Sequence, residues 1–95
     1  MNKREIAKMK RRVKVLQKQM GEIGPVMRGS VVFIGSKKKY SHFSLNKDKK
    51  TRLIYLGKKR EAQAKEYSEN YKRLLDIIEE MTILNMTLLK INASL

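Results

Sequence analysis

The spacing of the apolar residues changes twice along this 95-residue chain, and that change limits the folds that the chain can adopt. Over residues 1–24, and again from residue 58 onward, apolar positions recur every three or four residues, which is the period of an amphipathic helix. Between residues 28 and 57 they form short runs rich in β-branched and aromatic residues, which is typical of strands. The pattern predicts an α+β fold: an N-terminal helix, a three-stranded antiparallel meander and a long C-terminal helix.

The first helix, over residues 1–24, is predicted to be basic and amphipathic, with Gly21, Gly24 and Pro25 as stop signals. Its apolar residues form an unbroken heptad series, namely Ile6, Met9, Val13, Leu16, Met20 and Ile23. The stripe is narrow, and roughly two and a half heptads are short for an independent coiled coil. We therefore expect the stripe to pack on a helix of the same chain or of a dimer mate.

The middle region, residues 28–57, is predicted to contain three strands separated by two polar breaks. The strands are Ser30–Ile34, Lys39–Leu45 and Thr51–Leu56, and the breaks are residues 35–38 and 46–50. Strict alternation in the second strand puts Ser41, Phe43 and Leu45 on one face and Tyr40, His42 and Ser44 on the other. The length of the second break does not fix the register with the third strand, so the sequence leaves open which face is buried.

The last segment, residues 58–93, is predicted to be a helix that is apolar around most of its circumference after Leu74. The first helix can cover only one stripe of it, so we expect the rest to pack against a second copy of the chain. Asn85 either sets the register of such a bundle or is half exposed without consequence. The residues predicted to mediate self-association are Leu74, Leu75, Ile78, Met81, Asn85, Leu88 and Leu89.

Composition limits the class of protein. A chain of 95 residues has room for one domain, which we expect to extend over residues 1–95. Without cysteine, disulfides and thiolate metal sites are excluded, and the lone His42 has no partner with which to share a metal. No nucleophile–base pair or carboxylate pair can be argued, so we expect no enzyme, no cofactor and no metal. The chain has no signal-peptide pattern and no long apolar run, so we expect a cytoplasmic protein without membrane contact.

The positive charge is concentrated in one part of the chain. The formal net charge is +14, with an excess of 16 positive charges over residues 1–60 and of 2 negative charges over residues 61–95. Nucleic acid is the most common acidic partner of a small domain with this charge. We therefore expect the first helix and the sheet to bind nucleic acid and the last helix to bind another copy of the protein.

Basic residues gather at the ends and turns of the predicted sheet, and aromatic residues lie between them. Arg52, in the middle of a strand, is the predicted base-specific contact, while the other cations are expected to neutralise phosphates. The predicted nucleic-acid-binding residues are Arg11, Arg12, Arg28, Lys37, Lys38, Lys39, Tyr40, His42, Lys47, Lys49, Lys50, Arg52, Lys58, Lys59 and Arg60.

These residues favour a non-catalytic, dimeric protein that binds double-stranded DNA through a basic sheet and a basic helix. One alternative is an RNA or single-strand binder in which Tyr40, Phe43 or Tyr55 stacks on unpaired bases. Another is a phage or mobile-element protein that binds a larger nucleic-acid enzyme, or its guide RNA, as an inhibitor or accessory subunit. Composition does not separate these hypotheses, because each of them requires positive charge.

A set of short motifs resembles an uncharacterised family of small basic prokaryotic proteins associated with transposons and other mobile elements. The motifs are Gly29-Ser30, Tyr40 to Leu45, Lys50-Thr51-Arg52, Tyr55-Leu56, Asn70-Tyr71-x-x-Leu74, Ile78-Glu79-Glu80-Met81 and Leu84-Asn85-x-x-Leu88-Leu89. The resemblance implies a mobile-element accessory role. Many relatives carry a cysteine-rich knuckle that residues 31–39 replace here, so their metal role does not transfer. More loosely, the sheet followed by Lys58-Lys59-Arg60 is similar to the three-stranded arm-binding domains of tyrosine integrases, which bind DNA with the sheet.

Overall fold

The computed structural model describes residues 1–92 and confirms the predicted α+β class. Its elements are α1 (Lys3–Glu22), β1 (Ser30–Ile34), β2 (Tyr40–Lys47), β3 (Lys50–Tyr55) and α2 (Gly57–Lys90). They form two compact units: a helical unit of residues 1–23 with α2 from Arg73 onward, and a sheet unit of residues 24–72. The last residue of the predicted helix, residue 93, lies outside the described residues. Within residues 1–92, neither helix combines the length and the apolar character needed to cross a bilayer.

The helical unit consists of α1 and the second half of α2. The side chain of Asn2 caps α1 by accepting a hydrogen bond from the backbone N–H of Glu5 at 2.8 Å. Arg12 of α1 pairs with Glu80 of α2, whereas Gln19 and Glu22 lie beside Arg73 and Asp76, so the two helices run antiparallel. The most deeply buried side chains are those of Val13, Leu16 and Leu88. The heptad stripe of α1 therefore packs on a helix of its own chain, which is the first of the two predicted possibilities.

The sheet unit is built on three antiparallel strands in the order β1-β2-β3. Val31 of β1 and Ile54 of β3 both lie opposite Phe43 of the central strand β2. Opposed residues of antiparallel strands point to the same face, so the register assigns every strand residue to a face. Ser41 and Phe43 are buried, with Phe43 only 5% exposed, so their face is the one that packs inward.

The link between β2 and β3 differs from the predicted break over residues 46–50. β2 continues to Lys47, β3 begins at Lys50, and only Asp48 and Lys49 form the turn. Both have positive φ, 53° and 64°, which is the conformation of a two-residue type I′ hairpin turn. The prediction failed because these two residues are not the Asn-Gly or Asp-Gly pair that normally marks such a turn.

The inner face of the sheet is covered by the first half of α2 and by residues 24–29. Phe43 forms a small core with Leu56 and Ala64, and Met27 and Val31 pack against it. The loop is fixed to α2 by three hydrogen bonds: Met27 N–H donates to Tyr67 O, Ser68 Oγ to Gly29 O and Asn70 Nδ2 to Pro25 O. The buried polar side chains Ser68 and Asn70 are thereby satisfied, which removes the cost of burying them.

Candidate nucleic-acid interface

The outer face of the sheet, here called the open face, carries no charged side chain in any of the three strands. The register assigns to it Ser30, Val32, Ile34, Tyr40, His42, Ser44, Asn46, Thr51, Leu53 and Tyr55. The core contacts of α2 are made with Phe43 and Ser41 on the inner face, whereas Tyr55 on the open face lies beside Gly57 at the start of α2. The strand register therefore makes the open face an apolar and hydroxyl-rich surface that contains His42 and no Asp, Glu, Lys or Arg.

Three aromatic rings cluster on the open face. The ring centroid of Tyr55 lies 6.3 Å from that of Tyr40 and 5.6 Å from that of His42, both in edge-to-face arrangements. Tyr40 is 45% and Tyr55 is 53% exposed, so large parts of both rings are available to a ligand. His42 Nδ1 lies 3.0 Å from Tyr40 O, a contact in which Nδ1 must donate because a carbonyl oxygen only accepts. This hydrogen bond orients the imidazole.

Lysines surround this aromatic cluster. Lys37, Lys38 and Lys39 form the exposed turn between β1 and β2, and the Lys38 ammonium lies 5.6 Å from the centroid of the Tyr40 ring. A cavity of about 410 Å³ at this end is lined by three lysines and one acid, Glu61, together with Phe33, Tyr40, Ser41, Tyr55 and Gly57; the lysines are Lys38, Lys39 and Lys58. We call the set of Tyr40, His42, Tyr55, Lys37, Lys38, Lys39 and Lys58 the aromatic end of the sheet.

The first turn of α2 adds positive charge beside the aromatic end. It contains Lys58, Lys59 and Arg60 and no acidic residue. The Arg60 guanidinium is hydrogen-bonded to two backbone carbonyl oxygens: its Nε donates to Leu56 O at 2.7 Å and its Nη2 to Tyr55 O at 2.9 Å. Cations at a helix N-terminus oppose the helix dipole, and a bound anion would relieve that repulsion.

The other basic residues of the sheet lie at its opposite end. Lys47, Lys49 and Lys50 surround the β2–β3 turn, and Arg28 donates from Nη1 to Asn46 O at 2.9 Å. At ~3.4 Å per residue, β2 separates this turn from Tyr40 by roughly 24 Å. The basic residues that the sequence analysis treated as one group around the sheet are thus divided between its two ends.

Arg52 lies on the inner face, opposite Leu45, and not on the open face with Tyr40 and His42. The predicted base-specific contact and the predicted aromatic contacts therefore point to opposite sides of the sheet. Phe43, one of the three rings considered for stacking, is buried on the inner face as well. Tyr55, which the sequence proposed only for the RNA or single-strand alternative, joins the cluster because the register pairs it with His42.

Arg11 and Arg12 belong to the helical unit, where Arg12 has a specific partner. Its Nε and Nη2 donate to the two carboxylate oxygens of Glu80 at 2.6 and 2.9 Å. The hydrogen bonds, together with the attraction between the charges, raise the pKa of Arg12 and lower the pKa of Glu80 from their ordinary values. Arg12 thus stabilises the pairing of α1 with α2, while Arg11 is exposed.

The residues predicted to mediate self-association fall into three burial classes. Leu88 is fully buried within the chain, and Leu74, Met81 and Asn85 are half-buried. Leu75, Ile78 and Leu89 are exposed, together with Met86 and Ile83, which the predicted set lacked. On a helix that turns 100° per residue, the exposed residues fall to one side of the stripe formed by Leu74, Met81 and Leu88. These five residues, Leu75, Ile78, Ile83, Met86 and Leu89, form an exposed stripe on α2.

Within residues 1–92, no three His, Asp or Glu side chains lie close enough together to hold a metal ion. No protein family, curated protein or solved structure matches this chain. The resemblance to mobile-element proteins therefore stays a prediction, and function must be argued from the geometry of the sheet.

Proposed function

We propose that this protein is a non-catalytic nucleic-acid-binding protein that takes up unpaired nucleotides at the aromatic end of its sheet. Bases stack on Tyr40 and Tyr55, with His42 at the edge of the cluster, and phosphates contact the surrounding lysines. The observation that carries this proposal is the presence of three clustered rings on an uncharged open face bordered by lysines. Stacking platforms of this kind bind single strands because every base has a π-face.

The geometry supports unpaired nucleotides over duplex DNA for a second reason. A sheet that reads the major groove needs side chains that form bidentate contacts with base edges, and arginine is the commonest of these. The open face has no arginine or lysine in its strands, and Arg52 belongs to the inner face. Duplex binding by the open face would therefore lack the bidentate arginine contact that is commonest in the major groove, whereas stacking needs only the exposed rings.

The wider biological role is proposed from the sequence. The mobile-element resemblance supports an accessory role in a cytoplasmic nucleoprotein process, in which the chain acts as a homodimer through α2. Binding to a larger nucleic-acid enzyme or to its guide RNA is the competing hypothesis. A pull-down from lysate with and without nuclease separates the two, because a protein partner remains bound after digestion and a nucleic-acid-dependent one does not.

Replacement of Tyr55 by Ala tests the proposal against a matched control on the same strand. Ile54 is 58% exposed, Tyr55 is 53% exposed, and the two side chains point to opposite faces. We expect Tyr55→Ala to weaken binding of a labelled single-stranded oligonucleotide by roughly ten-fold or more, the value of one lost stacked base. Ile54→Ala should leave affinity within about two-fold of wild type. Fluorescence anisotropy measures both.

The same titrations distinguish the type of nucleic acid. Single-stranded RNA, single-stranded DNA and duplex DNA are compared as competitors, and the affinity of the best one is measured against salt. Lys38→Ala should reduce the slope of log affinity against log salt by ~0.7, the value for one phosphate contact on a single strand. Preference for duplex, or equal loss from Tyr55→Ala and Ile54→Ala, would contradict the stacking proposal.

A further inference from the structure

An apolar groove lies on the inner side of the sheet unit, on the opposite side of the sheet from the open face. It has a volume of about 570 Å³ and is formed by Met27, Phe43, Leu45 and Ile54, with Arg28 and Arg52 among its lining residues. No acidic side chain lines it within the described part of the chain. This volume falls within the range of roughly 300–1,000 Å³ that is usual for small-molecule sites.

The two ends of the groove differ in polarity, and the strand register shows which residues lie at each end. Arg52 lies opposite Leu45, and Arg28 donates to Asn46 O, so both guanidinium groups belong to the end of the groove nearest the hairpin turn. Phe43 and Ile54 form the next inward-facing pair, about 7 Å farther along the strands at ~3.4 Å per residue. The groove is therefore cationic at one end and apolar along the rest of its length.

We propose that this groove binds a single-chain fatty carboxylate, with the carboxylate between Arg28 and Arg52 and the hydrocarbon chain along Phe43 and Ile54. A guanidinium presents its donors in a fork that matches a carboxylate, and Arg28 retains donors beyond the one used on Asn46. The exposed Ile54 side chain and the edge of Phe43 would lose contact with water when the chain is bound. The charge at one end of the groove selects an anionic amphiphile over a neutral one.

This site is independent of the proposed nucleic-acid interface. The groove is lined by residues of the inner face and by Leu53, whereas the aromatic end of the sheet uses the rings of Tyr40, His42 and Tyr55, so the two sites share no side chain. A nucleic-acid strand would not fill an aliphatic groove, since its backbone is charged and hydrated. Arg28 and Arg52, which the sequence assigned to nucleic acid, are assigned here to the carboxylate.

Decanoate is the probe, and the methyl group of Met27 is the reporter. Met27 is the one methionine of six that lines the groove, so the other methyl groups serve as internal controls. In spectra of the full chain labelled with ¹³C at the methionine methyls, decanoate below its micelle concentration should shift Met27 saturably and at one equivalent. Decanol, which has the same chain without the charge, should bind at least about ten-fold more weakly.

Two double variants that each remove two positive charges distinguish binding in the groove from general attraction of decanoate to a basic protein. The double variant Arg28→Gln/Arg52→Gln should lose about ten-fold or more in decanoate affinity, whereas Lys37→Gln/Lys38→Gln should bind as wild type. If the double variant does not fold, Arg52→Gln alone keeps the Arg28–Asn46 hydrogen bond and should show a large part of the loss. Tyr55→Ala should retain decanoate binding even where it abolishes oligonucleotide binding.

Three results would overturn the inference. Equal affinity for decanol and decanoate would mean that the groove accepts any apolar group, as a docking surface for protein side chains does. A Met27 shift that depends on protein concentration without ligand would mean that a second copy covers the groove. Simultaneous, non-saturating shifts of all the methionine methyls would mean that the amphiphile only adsorbs to the surface.

Discussion

Gly29 allows the segment of residues 24–29 to lie close against the inner face of the sheet. Its φ is +145°, and a Cβ at this position would lie 2.5 Å from Ser44 O and 2.7 Å from the Phe43 ring. Neither the backbone oxygen nor a buried ring can move away easily. We expect Gly29→Ala to lower the free energy of unfolding by about 2 kcal/mol or more, because the backbone conformation and the contacts are both strained. Chemical denaturation measures the change.

Gly21 provides the matched control for this substitution. It lies within α1, and a Cβ there would meet nothing within 4 Å. Gly21→Ala should raise the free energy of unfolding by roughly 0.5–1 kcal/mol, since alanine loses less backbone entropy in a helix. If both glycines respond alike to alanine, the close contact of Gly29 with Phe43 does not exist in solution.

The Arg12–Glu80 pair gives the stability of the helical unit a dependence on pH. The pKa of Glu80 in the folded chain lies below its ordinary value of 4.5, mainly because of the Arg12 hydrogen bond. A lowered carboxyl pKa stabilises the fold at pH above the unfolded value, and this contribution is lost as pH falls through the folded value. The Tm difference between wild type and Glu80→Gln should therefore be small at neutral pH and vanish as the pH falls through the lowered pKa of Glu80. Both side chains are nearly half exposed, so a large difference at neutral pH would contradict the structure.

At the residue scale, the sequence predicted the faces of one strand but not the pairing between strands. Alternation along the second strand predicted that Tyr40 and His42 lie on the same face of the sheet, and this prediction is confirmed. Tyr55 and Arg52 could not be assigned, because their faces depend on a register that a shift of one residue would reverse. That register is fixed by the two-residue turn of Asp48 and Lys49, both of which have positive φ. Glycine would have marked such a conformation in the sequence, whereas aspartate and lysine do not.

At the scale of elements, helix periodicity was the more reliable guide. The spacing in α1 and α2 predicted both helices, because a long apolar series specifies its own period. α2 ends where Asn92 adopts a positive φ of 57°, a common helix C-terminal conformation of asparagine. The strand limits were less accurate, because lysine and asparagine in β2 are poor strand formers that the two-residue turn nevertheless brings into the ladder. Local propensity was overridden there by pairing with β3.

At the scale of the whole molecule, the exposed stripe on α2 predicts a dimer. The stripe consists of Leu75, Ile78, Ile83, Met86 and Leu89, all of them exposed, and Leu89 is 64% exposed. Thr82, which lies between them, is satisfied within its own helix, since its Oγ1 donates to Ile78 O at 2.7 Å. The stripe can therefore be buried without leaving that hydroxyl unpaired. We expect light scattering to give twice the chain mass of 11.1 kDa.

A double charge substitution tests this dimer. Leu75→Glu/Leu89→Glu should give the monomer mass, because four carboxylates cannot be buried at the interface without partners. Val15→Glu is the control, since Val15 is also exposed on the helical unit but lies on α1, outside the stripe. A wild-type chain that remains monomeric at all concentrations, or a dimer that is unaffected by the double substitution, would exclude self-association through this stripe.

Strand β3 forms one edge of the sheet, and all six of its residues are exposed, including Leu53 and Ile54. An apolar edge of this kind can pair with the edge of another molecule and start aggregation. The lysine-rich turns at both ends of the sheet oppose such pairing, because two edges that approach one another bring like charges together. This protection is electrostatic and weakens as salt is added. The high salt that strips nucleic acid from a basic protein during purification is therefore also the condition under which this chain is least protected from aggregation.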